Sequence, residues 1–231
     1  MPTEVTLRPA DSRDGEAVAA VHLAARREAP MPPAVHSDAE VRAWLAGRLE
    51  SDDEVWVAEV GGEVAAYARF TRTWLDDLYV APPHARQGLG GALLDLVKSL
   101  RPDGFSLWVF DSNRPARAFY ARHGLVTLER TDGAGNEERA PDLRMAWPGR
   151  DPVAFFRGLI DDVDSELGDL LARRLALTRV VQDHKPDRTR DPLREREIAE
   201  RLAVRAPELG PDRLGRIVHA IITESLDSLD G

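Results

Sequence analysis

Residues 78–94 read LYVAPPHARQGLGGALL. This stretch predicts a strand that leads into a glycine-rich turn and then into the start of a helix. Glycines let backbone N–H groups approach an anion closely, and a helix start adds donors without intrahelical partners at the positive end of the helix dipole. The stretch therefore favours a diphosphate site, with a plain strand-to-helix corner as the alternative.

Strand and helix signals alternate on both sides of this stretch, from residue 3 to about residue 148. Gly61-Gly62 predicts a hairpin turn, and Ser37-Asp38-Ala39-Glu40 predicts a helix that begins with a capping box. The order predicts an α/β fold with a mixed central sheet, long antiparallel runs and flanking helices. Strands are predicted at residues 5–7, 54–60, 64–73, 75–80, 105–110, 125–130 and 143–147, and helices at residues 14–27, 38–49, 89–100 and 115–123.

The segment Pro148-Gly149-Arg150-Asp151-Pro152 predicts a domain boundary, which divides the chain into domains 1–149 and 150–231. Strand signals vanish after it, so the second domain is predicted to be all-α with three helices. The first of them is long, and three helices make a small core, so we expect a partner chain to cover it. The helices are predicted from Val153 to about Asp183, from Pro192 onward, and from Pro211 to about Asp227.

Several cations recur in the helical part of the chain. Four cations in one interior would be costly unless an anionic ligand neutralised them, which predicts a small ligand with several negative charges. Arg174 and Lys185 are eleven residues apart, close to three turns at about 3.6 residues per turn, so they share a helix face. Arg157 points roughly 100° away on the same helix and does not easily enter the same pocket of one chain. The candidate site residues are Arg157, Arg174, Lys185, Asp191, Arg194, Glu195 and Ser225.

The composition of the 231-residue chain narrows the functional classes. The formal net charge of −9 argues against a nucleic-acid-binding protein. The chain has no cysteine, which excludes disulfides, cysteine-based zinc sites and thiol nucleophiles. The six histidines show no metal-ligand spacing, so we interpret them as scattered surface residues and predict no metal site. No signal pattern or membrane-spanning run is visible, so a soluble cytoplasmic protein is expected.

The segment 113–125, NRPARAFYARHGL, follows the glycine-rich turn along the chain. The two segments together resemble the cofactor loop and the second motif of the GNAT acetyltransferases, over residues 3 to about 148. The resemblance implies acetyl-CoA as cofactor, an unknown amine as acceptor, and Tyr120 as the general acid that protonates the leaving thiolate. Where the family's loop often has Arg or Gln, this chain has Ala85. The implied cofactor-binding residues are Leu78, Val80, Arg86, Gln87, Gly88, Gly90, Gly91 and Asn113.

The residue pattern from Phe156 to about Leu229 resembles the all-helical class of chorismate mutases. It is carried by RGLIDDVD at 157–164, Arg173-Arg174, Lys185, RDPLRE at 190–195 and IITES at 221–225. The resemblance implies the Claisen rearrangement of chorismate to prephenate, a step of aromatic amino acid biosynthesis from the shikimate pathway, in an intertwined homodimer without a cofactor.

The mutase resemblance also implies a role for each candidate residue. The two carboxylates of the substrate would be bound by Arg174, Arg194 and Arg157 of the partner copy. Lys185 would donate a hydrogen bond to the ether oxygen. Glu195 would accept from the C4 hydroxyl. Asp191 would assist at the same hydroxyl, and its alternative role is that of a helix N-cap. Ser225 would touch a carboxylate.

One position departs from the mutase pattern. One turn after Ser225 the family commonly carries Gln or Glu, which donates a second hydrogen bond to the ether oxygen, and this chain has Leu229. Three explanations stay open. Ser228 or another group donates this hydrogen bond instead, or the activity is weak, or the substrate is a relative of chorismate such as 4-amino-4-deoxychorismate or isochorismate.

Four interpretations of the whole chain stay open. Both halves are active, or the mutase-like half acts on a chorismate relative, or it only dimerises the acetyltransferase, or the acetyltransferase-like half senses acyl-CoA without catalysis. The acetyltransferase also needs a base for the acceptor amine. Asp76 and Asp77, on opposite faces of one strand, are the candidates, with a solvated charged face as the alternative.

Overall fold

The computed structural model describes residues 4–49, 51, 53–185 and 190–229, and these form two compact units that meet between Phe156 and Arg157. The predicted boundary lies seven residues earlier. The Phe155 ring lies so close to Gly104 that a Cβ atom on this glycine would come within 2.5 Å of it, and Arg150 N–H donates to Pro102 O at 2.9 Å. These contacts explain why the start of the long helix groups with the first unit; the domain limits themselves stay a prediction.

The order of elements in the first unit confirms the predicted α/β fold. The strand predicted over 64–73 is shorter than expected, because a turn interrupts it: Thr71 N–H donates to Trp74 O at 2.8 Å. The elements are β1 (Val5–Pro9), α1 (Gly15–Glu28), α2 (Asp38–Arg48), β2 (Glu54–Val60), β3 (Glu63–Phe70), β4 (Leu75–Val80), α3 (Leu89–Leu100), β5 (Phe105–Phe110), α4 (Arg114–Arg122), β6 (Val126–Arg130) and β7 (Asp142–Trp147).

The strands form two sheets, with the orders β1-β2-β3-β4 and β5-β7-β6, and every strand pair in them is antiparallel. The sheets meet at one end of β4 and β5, where Trp74 and Ser106 form a parallel bridge and Ser106 N–H donates to Thr73 O at 2.9 Å. Beyond that bridge β4 and β5 belong to separate sheets. The resulting gap between the two strands positions the first candidate site.

Two apolar clusters hold the first unit together. The larger one packs α3 onto both sheets through Leu93, Leu94 and Phe105, all fully buried. The smaller one packs α1 and α2 onto β2 and β3, around Val18 and Tyr67. Burial of a large apolar side chain contributes about 1.5–3 kcal/mol, so these clusters fix the strands that border the gap.

The second unit is all-α, as predicted. Helix α5 (Pro152–Asp183) begins at a proline, and α6 (Pro192–Arg205) begins after the N-cap Asp191, whose side chain accepts from Leu193 N–H and Arg194 N–H. Helix α7 (Gly210–Asp227) packs against α6. None of the described residues of α5 is buried. No helix of the described ranges has the length and apolar character needed to cross a membrane.

Candidate active sites

A cavity of about 300 Å³ lies between α5, α6 and α7 in the second unit. The structure brings together five of the candidate residues around it, although they come from separate helices. Arg174 approaches from α5, whereas Lys185 lies two residues beyond the end of this helix, so the two line one cavity without the shared helix face that their spacing predicted. The five residues are Arg174, Lys185, Asp191, Arg194 and Glu195.

Ser225 joins this group through Arg174. The Nη1 atom of Arg174 donates to Ser225 Oγ at 3.0 Å, and Ser225 Oγ donates to Ile221 O at 2.6 Å. Ser225 therefore orients a guanidinium at the edge of the cavity.

Arg157 lies outside this group. It is exposed on α5, 17 residues before Arg174, which corresponds to about 25 Å along the helix. The structure of one chain therefore does not bring Arg157 to the cavity, in agreement with its predicted direction.

Arg190 also lines this cavity, and no role was predicted for it from the sequence. Its guanidinium donates to both carboxylate oxygens of Glu195, Nε to Oε1 at 2.8 Å and Nη2 to Oε2 at 2.9 Å. On α7, Nη1 donates to Thr223 Oγ1 at 2.7 Å and Nη2 to His219 Nδ1 at 2.9 Å. The hydrogen bonds from Arg190 lower the pKa of Glu195. The only sequence signal for this role was one more cation beside Asp191.

The charges around the cavity are unequal. The cations outnumber the carboxylates by four to two, counting only the described residues that line it. Such an excess favours an anionic ligand, because bound carboxylates would offset the cost of holding the cations together. The cations are Arg174, Lys185, Arg190 and Arg194, and the carboxylates are Asp191 and Glu195.

A cleft of about 550 Å³ occupies the gap between β4 and β5 in the first unit. Leu78 lines it from β4, Val109 from β5, and Asn113 and Tyr120 from the start and the body of α4. Asn113 is also the N-cap of α4 and accepts from Ala116 N–H at 3.2 Å. The resemblance-derived residues Leu78, Asn113 and Tyr120 therefore share one cleft.

Tyr120 is held as a protonated phenol in this cleft. Its burial raises its pKa, since the phenolate would lose its hydration. Its ring meets Phe119 edge to face at a centroid distance of 5.3 Å. A phenol that keeps its proton at neutral pH is available as a hydrogen-bond donor or as a general acid.

The glycine-rich turn lies between β4 and α3. Arg86 and Gly88 have positive φ values of 60° and 90°, and Gln87 Nε2 donates to Pro83 O at 3.0 Å. A Cβ atom on Gly90 would contact Val80 Cγ2 at 3.5 Å, and one on Gly91 would contact His123 Cε1 at 3.4 Å. The turn ends where α3 begins, and the first N–H groups of this helix have no intrahelical partner.

The two candidate bases differ in their surroundings. Asp77 is buried and accepts from Arg69 Nε at 2.6 Å, so its charge is already compensated. Asp76 lines the cleft, and burial raises its pKa although Arg69 lies 3.5 Å away. Asp76 is thus the carboxylate of this pair that faces the cleft.

A second cavity of about 580 Å³ shares Arg26 and Glu138 with the cleft. His22 lines it, and the interpretation of all histidines as surface residues was wrong for His22. This residue is buried, its Nδ1 lies 2.7 Å from Tyr67 Oη, and burial lowers its pKa. Its apolar neighbours on α1 gave no sign of the hydroxyl partner 45 residues away. Among the described residues no cluster could hold a metal ion.

Two family models match this chain, one in each half. The model of the acetyltransferase (GNAT) family matches residues 18–125, and that of type II chorismate mutase matches residues 156–228. The chain joins a GNAT domain to a type II chorismate mutase domain. The fusion predicted from the two sets of motifs is confirmed.

The relatives in this comparison match different shares of the chain. The peptidyl-lysine N-acetyltransferase YiaC of Escherichia coli is 32% identical over 95 residues, which are 40% of this chain and 62% of YiaC. The mycothiol acetyltransferase of Amycolatopsis mediterranei is 29% identical over 185 residues, which are 73% of this chain and 58% of that protein. The chain thus spans less than two thirds of the length of these relatives.

Solved structures share the fold of the GNAT domain. A GCN5-related N-acetyltransferase from Rhodopseudomonas palustris has a TM-score of 0.55 and 22% identity, over 64% of this chain and 98% of that one. YncA from Salmonella typhimurium, solved with its cofactor acetyl-CoA, has a TM-score of 0.52 and 21% identity, over 64% and 96% of the two chains. GNAT homologues therefore bind acetyl-CoA.

Proposed function

We propose that the protein is a bifunctional enzyme, a chorismate mutase fused to an acetyl-CoA-dependent N-acetyltransferase. The observation that carries the first activity is the single cavity lined by Arg174, Lys185, Arg194, Asp191 and Glu195. The first test is the consumption of chorismate by the purified full-length protein, together with its 4-amino-4-deoxy and iso relatives.

The rearrangement needs no nucleophile or metal. Within the substrate the ether C–O bond breaks while a C–C bond forms, and negative charge grows on the ether oxygen. Arg174 and Arg194 would bind the carboxylates, because forked guanidinium donors suit this geometry. Lys185 would donate to the ether oxygen, and Glu195, held by Arg190, would accept from the C4 hydroxyl.

The site is proposed to be completed by a second copy of the chain. Helix α5 exposes a row of large apolar side chains at helical spacing, with Val163 62% and Leu167 48% exposed. Such a row is costly in water and suits a partner with the same row. In an intertwined homodimer Arg157 of one chain would reach the cavity of the other. A protein that only dimerises through this unit is the alternative.

The residues of the GNAT domain fit acetyl-CoA. The gap between β4 and β5 gives a slot beside Leu78 and Val80 for the pantetheine arm. The turn from Arg86 to Gly91, together with the start of α3, presents backbone N–H groups to a pyrophosphate. When bound, the cofactor supplies an acetyl thioester beside Tyr120. Asn113 would contact the cofactor from the start of α4.

Tyr120 and Asp76 are proposed to move the protons of the acetyl transfer. Asp76, whose pKa is raised, would take a proton from the acceptor amine, directly or through water. Tyr120 would give its proton to the leaving thiolate. Both side chains line the same cleft. A domain that binds acetyl-CoA only as a sensor is the alternative.

The surroundings of this cleft favour a positively charged amine as acceptor. Carboxylates exceed cations among the described residues around the cleft and its neighbouring cavity. A dicarboxylate amine, such as the product of a mutase acting on 4-amino-4-deoxychorismate, would be repelled. The similarity to a peptidyl-lysine N-acetyltransferase agrees with such an acceptor. The carboxylates are Glu40, Asp76, Glu137, Glu138 and Asp142, beside Arg26 and the histidines His22 and His36.

The variant Tyr120→Phe should transfer acetyl groups about 100-fold more slowly than the wild type, because the leaving thiolate loses its acid. The measurement is thiol release from acetyl-CoA with spermidine and with a lysine-containing peptide. Tyr79→Phe removes another hydroxyl from the same cleft and should have a smaller effect. Equal rates for wild type and Tyr120→Phe would contradict the acid role, and acetyl-CoA binding without turnover would favour the sensor.

The variant Arg190→Gln should lose mutase activity at a higher pH than the wild type when the solution is acidified. Arg190 holds the pKa of Glu195 below its ordinary value, so the carboxylate survives as pH falls until that lowered pKa is reached. Without Arg190 the pKa returns toward about 4.3, and the loss begins earlier. The check is kcat/KM from about pH 4 to 8, with the exposed Arg196→Gln as control. Superimposable profiles would rule out this effect of Arg190.

The cytoplasm is proposed as the location of both activities, because chorismate and acetyl-CoA are metabolites of that compartment.

A further inference from the structure

Gln182 lines the mutase cavity from the last turn of α5. Its side chain is mostly hidden from solvent, and its Oε1 atom is buried with no hydrogen-bond partner in the described part of the chain. Buried amide atoms in folded proteins are paired in the great majority of cases, so an unpaired one calls for an explanation. A ligand in the cavity is the simplest partner for this amide.

The lining of the cavity places this amide among the cations of the site. Gln182 stands in the last turn of α5, eight residues after Arg174, and Lys185 lies two residues beyond the end of this helix; all three line the same cavity. The amide is neutral and carries both donors and an acceptor. It therefore adds no charge to the four cations of the cavity and can contribute only a directed hydrogen bond.

The opposite wall of the cavity lacks such a group. Helix α7 contributes Ile222 and Leu226, which are apolar. Position 229, where related mutases commonly carry an amide or acid, is Leu. Ser228, the neighbouring candidate, is exposed, and its hydroxyl donates to Ser225 O at 3.0 Å. The amide of Gln182 is thus placed to supply what α7 does not.

We propose that Gln182 is a catalytic residue of the mutase site, whose amide N–H donates a hydrogen bond to the ether oxygen of the substrate beside the bond from Lys185. This inference rests on the proposed mutase function. Rotation of the amide by about 180° exchanges Oε1 and Nε2, so the buried unpaired position presents a donor to an ether oxygen. No proton is transferred: the oxygen leaves one carbon and becomes a ketone as the new C–C bond forms, and the two donors stabilise the charge that it carries meanwhile.

The first test is Gln182→Leu in the full-length protein. We expect kcat for chorismate to fall about 10- to 100-fold with little change in KM, because only the transition state carries charge on the ether oxygen. Asp183→Asn, on the same turn but exposed, is the control and should keep the wild-type rate. Adding Leu229→Gln to Gln182→Leu should restore activity from the other wall.

A structural role for Gln182 would not change the pH profile, so Gln182→Glu supplies the second test. A protonated carboxyl donates a hydrogen bond and a carboxylate does not. The activity of Gln182→Glu should therefore rise as pH falls through the pKa of the new carboxyl, while wild-type activity should not. Wild-type kcat in Gln182→Leu, or a Gln182→Glu profile parallel to that of the wild type, would overturn the proposal.

Binding of an oxabicyclic dicarboxylate, a stable mimic of the chair-like transition state, separates this proposal from the proposed function. By calorimetry, Gln182→Leu should bind it at least about tenfold more weakly than the wild type. Wild-type protein that turns over none of the three chorismates would refute the mutase function, whatever the calorimetry shows. Equal affinity of the two proteins, or binding to neither, would overturn the contact of Gln182.

Discussion

Replacement of Arg174 or Lys185 by Ala should remove mutase activity by a factor of about 100 or more in each case, while the protein stays folded. Both side chains line the cavity, Arg174 from α5 and Lys185 from the chain just after this helix. Arg174 would hold a carboxylate, and Lys185 would donate to the oxygen on which negative charge grows. Loss of either leaves the transition state without a charge-assisted partner that water cannot replace in this position.

The fold should tolerate both changes. Arg174 is half-buried on α5, where Ala is the best helix former, and Lys185 is exposed beyond the end of this helix. The hydrogen bond from Arg174 to Ser225 is lost, but Ser225 keeps its bond to Ile221 O. Circular dichroism and thermal melting should therefore differ little from those of the wild type.

Arg173→Ala is the matched control, since it removes an exposed guanidinium next to Arg174. It should keep wild-type kcat. Arg174→Lys retains the charge without the forked geometry, and its rate should lie between those of Arg174→Ala and the wild type. Normal turnover of chorismate by Arg174→Ala or Lys185→Ala would refute the assignment of the cavity.

Local signals were enough to predict most elements of the fold. The bounds of α5 agree within one residue, because Pro152 begins it and apolar residues recur at helical spacing up to Asp183. The strand predicted over 64–73 was too long, because the turn at Thr71–Trp74 depends on hydrogen bonds and contains neither Gly nor Pro. Short-range pattern predicts an element, and hydrogen bonds of the folded chain set its end.

The candidate mutase site was predictable only in part. The position of Asp191 before a proline predicted the N-cap of α6, whereas the helix period does not account for Lys185, because α5 ends at Asp183. The role of Arg190 depends on Thr223, 33 residues further along the chain, and on how α6 packs against α7. Gln182 depends on the shape of the cavity. No periodic pattern carries such long-range contacts, so these residues emerge only from the structure.

Two inactive variants, Arg157→Ala and Arg174→Ala, should recover activity when they are combined in one dimer. If Arg157 serves the partner's cavity, a hybrid dimer has one cavity with both arginines and one cavity with neither. Co-expression with two different affinity tags isolates the hybrid. It should show about half of the wild-type activity per dimer, and an unsorted equal mixture about a quarter, because random pairing makes half of the dimers hybrid.

The activity of the hybrid dimer distinguishes an Arg157 that enters the partner's cavity from an Arg157 with a structural role. A surface arginine that only supported α5 would leave the hybrid dimer as inactive as its parents, or Arg157→Ala would be active alone. Two copies of Arg157→Ala with different tags give the control for the tags and should stay inactive.

Light scattering should show dimers in every preparation at micromolar concentration, since the apolar row with Val163 and Leu167 is unchanged. A monomeric wild type would contradict the exchange, because the distance of about 25 Å along α5 keeps Arg157 away from the cavity of its own chain.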